Sequence, residues 1–127
     1  MDVNALCDRV RETAYAIHVF LGPGHLERVY ENALAHRLRK CGVVVEQQHP
    51  FAVYDEAGTN IGNYVADLFV SQKLVVEVKA ARKLSAEHVA QIIGYVKASR
   101  LEVGMLVNFG GPIFEAKRYL AHSPIRL

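Results

Sequence analysis

Apolar residues recur first with a helical period and then with a strand period. Leu6, Val10, Ala14, Ile17 and Leu21 lie three or four apart, so residues from about 3 to 20 are predicted to form an amphipathic helix. Gly22-Pro23-Gly24 breaks it. A second helix is expected from about Leu26 to Cys41, with Gly42 as its stop. Val43 to Tyr54 is β-rich, and Pro50 within it predicts a kinked or edge strand. Asp55-Glu56-Ala57-Gly58 is a turn. Ile61 to Val70 and Leu74 to Lys79 are predicted strands, joined tightly by Ser71-Gln72-Lys73. Ser85 caps a third helix that runs to about Ser99. Val103 to Phe109 is a short apolar strand suited to a buried position. Gly110-Gly111-Pro112 turns the chain into a last edge strand, Ile113 to Leu120.

This order predicts a topology. Short connections make the first three strands an antiparallel meander. The helix from Ser85 then permits a crossover to a strand parallel to the third. The result is an α/β domain with a mixed sheet and helices packed on it.

Composition changes the picture little. The chain has 127 residues, about half of them apolar, which fits one domain with a real core. Charged residues are frequent enough for solubility and too few for disorder. A net charge of +2 permits a nucleic-acid partner without demanding one. Cys7 and Cys41 are far apart and in no metal-ligand spacing, so thiols buried as small hydrophobes in a reducing cytoplasm are expected. Met1-Asp2 is followed by no apolar run, so no signal peptide is expected. No segment approaches the roughly 20 apolar residues of a membrane helix, and no membrane association is expected.

Candidate chemistry concentrates on the central strands. Glu77 and Lys79 are two apart and share a strand face, while Val76 and Val78 take the other. If Ser71-Gln72-Lys73 is a three-residue connection, Val70 pairs with Leu74 and Asp67 falls opposite Glu77. Their Cβ atoms would then stand about 5 Å apart on one face. Two carboxylates that close repel by a few kcal/mol at an effective dielectric near 20, a cost that a bridging cation removes. A one-residue slip would turn Asp67 away. Carboxylate oxygens suit Mg²⁺, and a neighbouring lysine can position or activate the attacking water. Glu27 lies in the first turn of the second helix and is a further candidate acid. Gln91 and Tyr95 are four apart on one face of the third helix, with His88 beside them and Val89, Ile92, Ile93 and Val96 as the core stripe.

Each residue also has a plainer reading. Glu27 alone would complement the helix dipole. Glu-x-Lys on a strand is common, Gln91 and Tyr95 would pass for helix surface, and His88 is better taken as a packing or supporting residue than a metal ligand. Asp67 is harder to dismiss, because an acid amid apolar strand residues costs stability unless paired or metal-bound. Arg37, Arg39 and Lys40 read as a solvated helix face, whereas Arg82 and Lys83 follow the Glu-x-Lys strand and are better placed for phosphate.

Taken together these residues resemble a known family. Gly24-His25-Leu26-Glu27-Arg28-Val29-Tyr30 is similar to the signature of the GxxExxY proteins, a branch of the PD-(D/E)XK nuclease superfamily. The resemblance continues through Glu31-Asn32-Ala33-Leu34, Tyr64-Val65-Ala66-Asp67-Leu68, Glu77-Val78-Lys79, Leu84 to His88, Gln91 to Tyr95 and Val107-Asn108-Phe109-Gly110. It spans roughly Ala14 to Tyr119. It implies a restriction-endonuclease-like αβββαβ core with a mixed four-stranded sheet and an extra N-terminal helix. It also implies Asp67, Glu77, Glu27 and the Val78 carbonyl as metal ligands and Lys79 as the catalytic lysine. Gln91 and Tyr95 match the QxxxY signature of exonuclease-like members similar to the RecB and Cas4 nuclease domains, where it helps hold the site and the nucleic acid. The family usually carries Arg before the Ala-Asp pair, where this chain has Val65.

The expected function is a Mg²⁺- or Mn²⁺-dependent nuclease, with DNA the favoured substrate and Arg82, Lys83, Tyr95 and His88 as nucleic-acid contacts. Two alternatives stand beside it. One is a nucleic-acid- or partner-binding module that keeps the fold without turnover. The other is a dimeric, structure-selective resolvase or repair nuclease.

Overall fold

The computed structural model describes residues 1–121. Its elements are α1 (Val3–Leu21), α2 (Glu27–Lys40), β1 (Val45–Tyr54), β2 (Asn60–Val70), β3 (Leu74–Lys79), α3 (Ala86–Ser99), β4 (Val103–Asn108) and β5 (Glu115–Leu120). Local chemistry accounts for most boundaries. The Asp2 carboxylate accepts the Ala5 N–H at the start of α1. Ser85 and His88 form a reciprocal capping box at the start of α3. Gly22 closes α1 at φ 67°, a conformation that favours glycine.

The sheet has the order β1-β2-β3-β4-β5. The first three strands form the antiparallel meander, β4 lies parallel to β3 after the α3 crossover, and β5 returns antiparallel to β4. The expected four-stranded core is therefore extended by a fifth strand, which occupies the edge predicted for Ile113 to Leu120. Pro50 sits on β1, the opposite edge, where its missing N–H breaks no inner ladder.

The helices cover both faces. α1 and α2 bury Leu6, Val10, Ile17, Leu34 and Leu38 against Leu68, Val70, Leu74, Val76 and Val78. On the opposite face, Ile92 and Val96 of α3 pack on Ala66, Val75 and Leu106. Tyr30 links α2 to the loop before it. Its hydroxyl donates to the Gly22 carbonyl and accepts the His25 N–H, while its ring stacks on Phe109 at 4.7 Å. Cys7 is buried as expected, but Cys41 is exposed. It caps α2 after the last buried position, so the apolar stripe ends before reaching it. Among the described residues, no helix is long and apolar enough to cross a membrane.

Candidate active site

β2 and β3 pair in the predicted register, with Val70 opposite Leu74 and Leu68 opposite Val76. The connection achieves this without glycine: Ser71 and Gln72 both adopt positive φ, and Lys73 N–H closes the turn on the Val70 carbonyl at 3.0 Å. One step further, Asp67 faces Glu77, and carboxylates replace the backbone as acceptors. Asp67 N–H donates to Glu77 Oε1 at 2.8 Å, and Val78 N–H donates to Asp67 Oδ2 at 2.8 Å. Glu77 is only 3% exposed. Burial, then the facing Asp67 carboxylate, pushes its carboxyl up from 4.5 to about 9. At neutral pH this acid retains its proton until something relieves the conflict.

The strict alternation of β1 and β2 reverses at this point. Ala66 packs toward α3 and Leu68 toward α1 and α2, although they are two apart. In β1, Val45 faces the helix pair and Phe51 faces α3. The reversal is centred on Gln48, held at φ 54° between the pairs Gln47–Leu68 and His49–Ala66. A left-handed residue in a strand swings the following side chains to the other face. Gln48 uses this position to bridge two acids, with Nε2 at 2.8 Å from Glu31 Oε1 and 3.2 Å from Asp67 Oδ1. Glu31 is only 3% exposed and also accepts Gln47 Nε2 at 2.7 Å.

Lys79 projects from the same face as Glu77. Its Nζ donates to Gln91 Oε1 at 2.6 Å, and Gln91 Nε2 donates to the Tyr95 hydroxyl at 3.2 Å. The i, i+4 spacing on α3 thus becomes a relay that holds the lysine. Burial, then the Glu77 carboxylate once it has ionised, raises the Tyr95 phenol above its ordinary value. Behind Lys79 the chain is clamped. Asn108 is fully buried, donates to the Ala81 carbonyl at 2.9 Å and accepts the Ala81 N–H at 3.0 Å. Phe109 N–H donates to the Lys79 carbonyl at 2.9 Å.

The structure joins Asp67, Glu77 and Val78 in one hydrogen-bonded set and Lys79, Gln91 and Tyr95 in another, the two meeting where Lys79 follows Val78 on β3. Glu27 is exposed in the first turn of α2 and makes no side-chain hydrogen bond or ion pair among the described residues. Glu31, one turn later on the same face, is the α2 acid tied to Asp67. His88 is engaged as a cap, with Nδ1 accepting the Ser85 N–H at 3.1 Å. Arg82 and Lys83 are exposed on the clamped loop after Lys79. Val65, where the resemblance expects Arg, is 44% exposed and opens to solvent. Sequence reasoning passed over Glu31, Gln48 and Asn108 as functional residues. The available signals were the i, i+4 spacing of Glu27 and Glu31 and the run of polar residues from Glu46 to His49 within a predicted strand.

The donor set fits a hard divalent cation. Asp67, Glu77 and the Val78 carbonyl offer oxygen only, and Mg²⁺ characteristically takes one or two carboxylates and completes its shell with water and phosphate. No group of three or more His, Cys, Asp or Glu side chains is gathered among the described residues. The carboxyl that burial and Asp67 keep protonated is the group a cation would ionise.

A mixed sheet flanked by helices, with facing acids and a lysine two residues on, defines a nuclease-like α/β domain. The sequence model of the PD-(D/E)XK nuclease superfamily matches residues 4–119, and the chain belongs to that superfamily. The fold is similar to the crystal structure of SSO0001, with a TM-score of 0.59 and 19% identity over 84% of this chain and 52% of that one. The chain therefore spans about half the length of that protein, and the likeness concerns the fold. A comparison with curated proteins finds no match.

Proposed function

We propose that this protein is a metal-dependent nuclease that hydrolyses phosphodiester bonds, with DNA as the favoured substrate, and that within its superfamily it belongs to the GxxExxY branch. The observation that carries the reading is Asp67 facing Glu77 across β2 and β3, with Lys79 on the same face and held by Gln91. Asp67, Glu77 and the Val78 carbonyl would hold Mg²⁺ or Mn²⁺. Glu27, the further ligand that the resemblance implies, shares a helix face with Glu31 and is the exposed acid of that face. A bound divalent cation supplies Lewis acidity at the scissile phosphate and makes water a better nucleophile at neutral pH.

Lys79 then has two tasks within reach of its ammonium: orienting the attacking water and stabilising charge on the phosphate oxygens. Gln91 and Tyr95 keep that ammonium aimed. Arg82, Lys83 and His88 lie on the adjoining surface and contact phosphates. One such site cuts one strand, so cutting both strands of a duplex would engage a homodimer.

The test is cleavage of single-stranded, duplex, flapped and branched DNA and of RNA, with Mg²⁺ and with Mn²⁺. Metal-dependent cleavage by the wild type, lost in Lys79→Ala and in Glu77→Ala, is the expected result. A folded wild type that binds metal but cleaves none of these substrates would instead assign the fold to a binding module.

A further inference from the structure

A groove of about 350 Å³ runs between the β1–β2 hairpin and α3, beside the acids rather than over them. Tyr54, Tyr64, Gly94, Lys97 and Arg100 line it, and none of its lining residues is acidic. We infer that this groove is the track for single-stranded nucleic acid, with Tyr54 and Tyr64 as stacking platforms and Lys97 and Arg100 as phosphate contacts. The inference deepens the nuclease reading and rests on it for the position of the cut.

Continuity with the site is the first argument. Tyr64 stands three residues from Asp67 on β2, roughly 10 Å along the strand. Its ring lies 5.1 Å from that of Tyr95, which is hydrogen-bonded to Gln91 and through it to Lys79. The Tyr64 ring lies against α3 at Gly94, 3.6 Å from where a Cβ would stand, an ordinary van der Waals contact. A strand leaving the acids toward α3 therefore meets Tyr64 next.

The second argument is chemical. Tyr54 and Tyr64 are 54% and 40% exposed, large apolar faces that the core has not taken up. Exposed rings interleaved with cations suit unpaired bases, since every base offers a π-face while its phosphates seek positive charge. Paired bases in a duplex keep their faces stacked on one another and cannot use such platforms. Charge complementarity favours a polyanion over an apolar or acidic peptide.

Arg100 supplies the third argument. It ends α3 at φ 59°, a left-handed cap where glycine or asparagine is the ordinary choice. A long cation held in this disfavoured conformation points outward from the conformational preference to a task for the side chain.

The left-handed cap also makes the test clean, because Arg100→Gly removes the cation and relaxes the backbone. Binding of fluorescent oligothymidylate and oligouridylate of about 12 nucleotides, a length within the range of single-strand sites, and of a duplex of equal length is measured by anisotropy. Divalent metal is left out so that nothing is cut. The variants are Arg100→Gly, Lys97→Glu, Tyr54→Ala and Tyr64→Ala, each checked for fold by circular dichroism. The expected result is single strands bound more tightly than duplex, with about 10-fold loss for each tyrosine variant. The cation variants should bind several-fold more weakly and show a flatter salt dependence. Preference between the two oligonucleotides names the sugar, and either preference supports the track.

Cleavage, read separately with Mn²⁺, distinguishes the two proposals. Arg100→Gly and Tyr54→Ala should raise KM for oligonucleotides. Groove variants that bind single strands as well as the wild type does, or a wild type that binds none, would overturn the track while leaving the nuclease reading to its own assay. Groove-dependent binding with no cleavage of any substrate would uphold the track and remove the nuclease.

Discussion

Asp67 and Glu77 are joined at the point where the ladder between their strands stops: the backbone of Asp67 donates to the Glu77 carboxyl at 2.8 Å, and the Asp67 carboxylate takes the N–H of Val78 at 2.8 Å. The two acids do the work of missing ladder carbonyls. They are thereby held face to face in a place where only one of them is comfortably charged.

That conflict sets a pH dependence. Glu77 is raised from 4.5 to about 9 in the folded chain. Between those values the folded protein binds a proton that the unfolded chain has released. The contribution to stability is complete below the unfolded value and is lost as pH rises through the folded one. Without metal, stability to urea should fall by about 1 kcal/mol per pH unit across neutrality. Glu77→Gln should flatten the profile and be more stable than the wild type by a few kcal/mol near pH 8. Urea unfolding at several pH values in EDTA measures both, and a Gln variant that keeps the wild-type slope would sink the assignment to Glu77. Mg²⁺ should restore stability at high pH and release a proton on binding.

The relay from α3 predicts a ranking. Gln91→Ala frees the Lys79 ammonium and should lower kcat by about 10–100-fold. Tyr95→Phe removes only the acceptor of the Gln91 amide and should cost less than about 10-fold. Single-turnover cleavage rates decide the order, and a larger loss in Tyr95→Phe would show that the hydroxyl acts on substrate directly.

Gln48 can be separated from its backbone. Gln48→Gly tolerates φ 54° and deletes the amide between Glu31 and Asp67. Stability should stay within about 1 kcal/mol, while metal affinity, read by calorimetry, should weaken about 10-fold or more. Unchanged affinity would make Gln48 a purely structural residue.

Glu27 and Glu31 make opposite predictions. Glu31 is buried and accepts from both Gln47 and Gln48, so Glu31→Ala should lower Tm by removing those two hydrogen bonds and leaving Gln47 only Asn32 and Gln48 only Asp67 as side-chain acceptors. Glu27 is exposed, so Glu27→Ala should leave Tm nearly unchanged. If Glu27 completes the metal shell, its variant should still lose metal affinity, which thermal unfolding with and without Mg²⁺ reads directly.

The clamp behind Lys79 is tested at Gly110. A Cβ there would stand 2.3 Å from the Ala80 carbonyl carbon, backbone against backbone, with no side chain free to yield. Gly110→Ala should cost about 2 kcal/mol or more and displace the loop that follows Lys79. A fully stable Gly110→Ala variant would mean that the loop is far softer than its hydrogen bonds imply.

The elements were legible in the sequence because their signals are local. The helical period of Leu6 to Leu21, the Ser85 cap and the three-residue link after Val70 act over a few residues, and the link sets the register that puts Asp67 opposite Glu77. The placement of Asp67 opposite Glu77 could be read for the same reason: parity along one strand and a short turn fix it, whereas the roles of the acids and Lys79 were implied by the resemblance.

The surroundings of that pair depend on chain segments far apart in sequence. Gln48 reverses the side-chain alternation by adopting a left-handed conformation that no residue pattern announces, and so brings Glu31 rather than Glu27 into hydrogen-bonded contact with Asp67 through its own amide. Asn108 reaches Ala81, and Tyr64 meets Tyr95, only once β4 lies beside β3 and α3 crosses the sheet. Local periodicity specifies which face a side chain takes. Which partner waits on that face is set by packing among elements that the chain assembles only on folding.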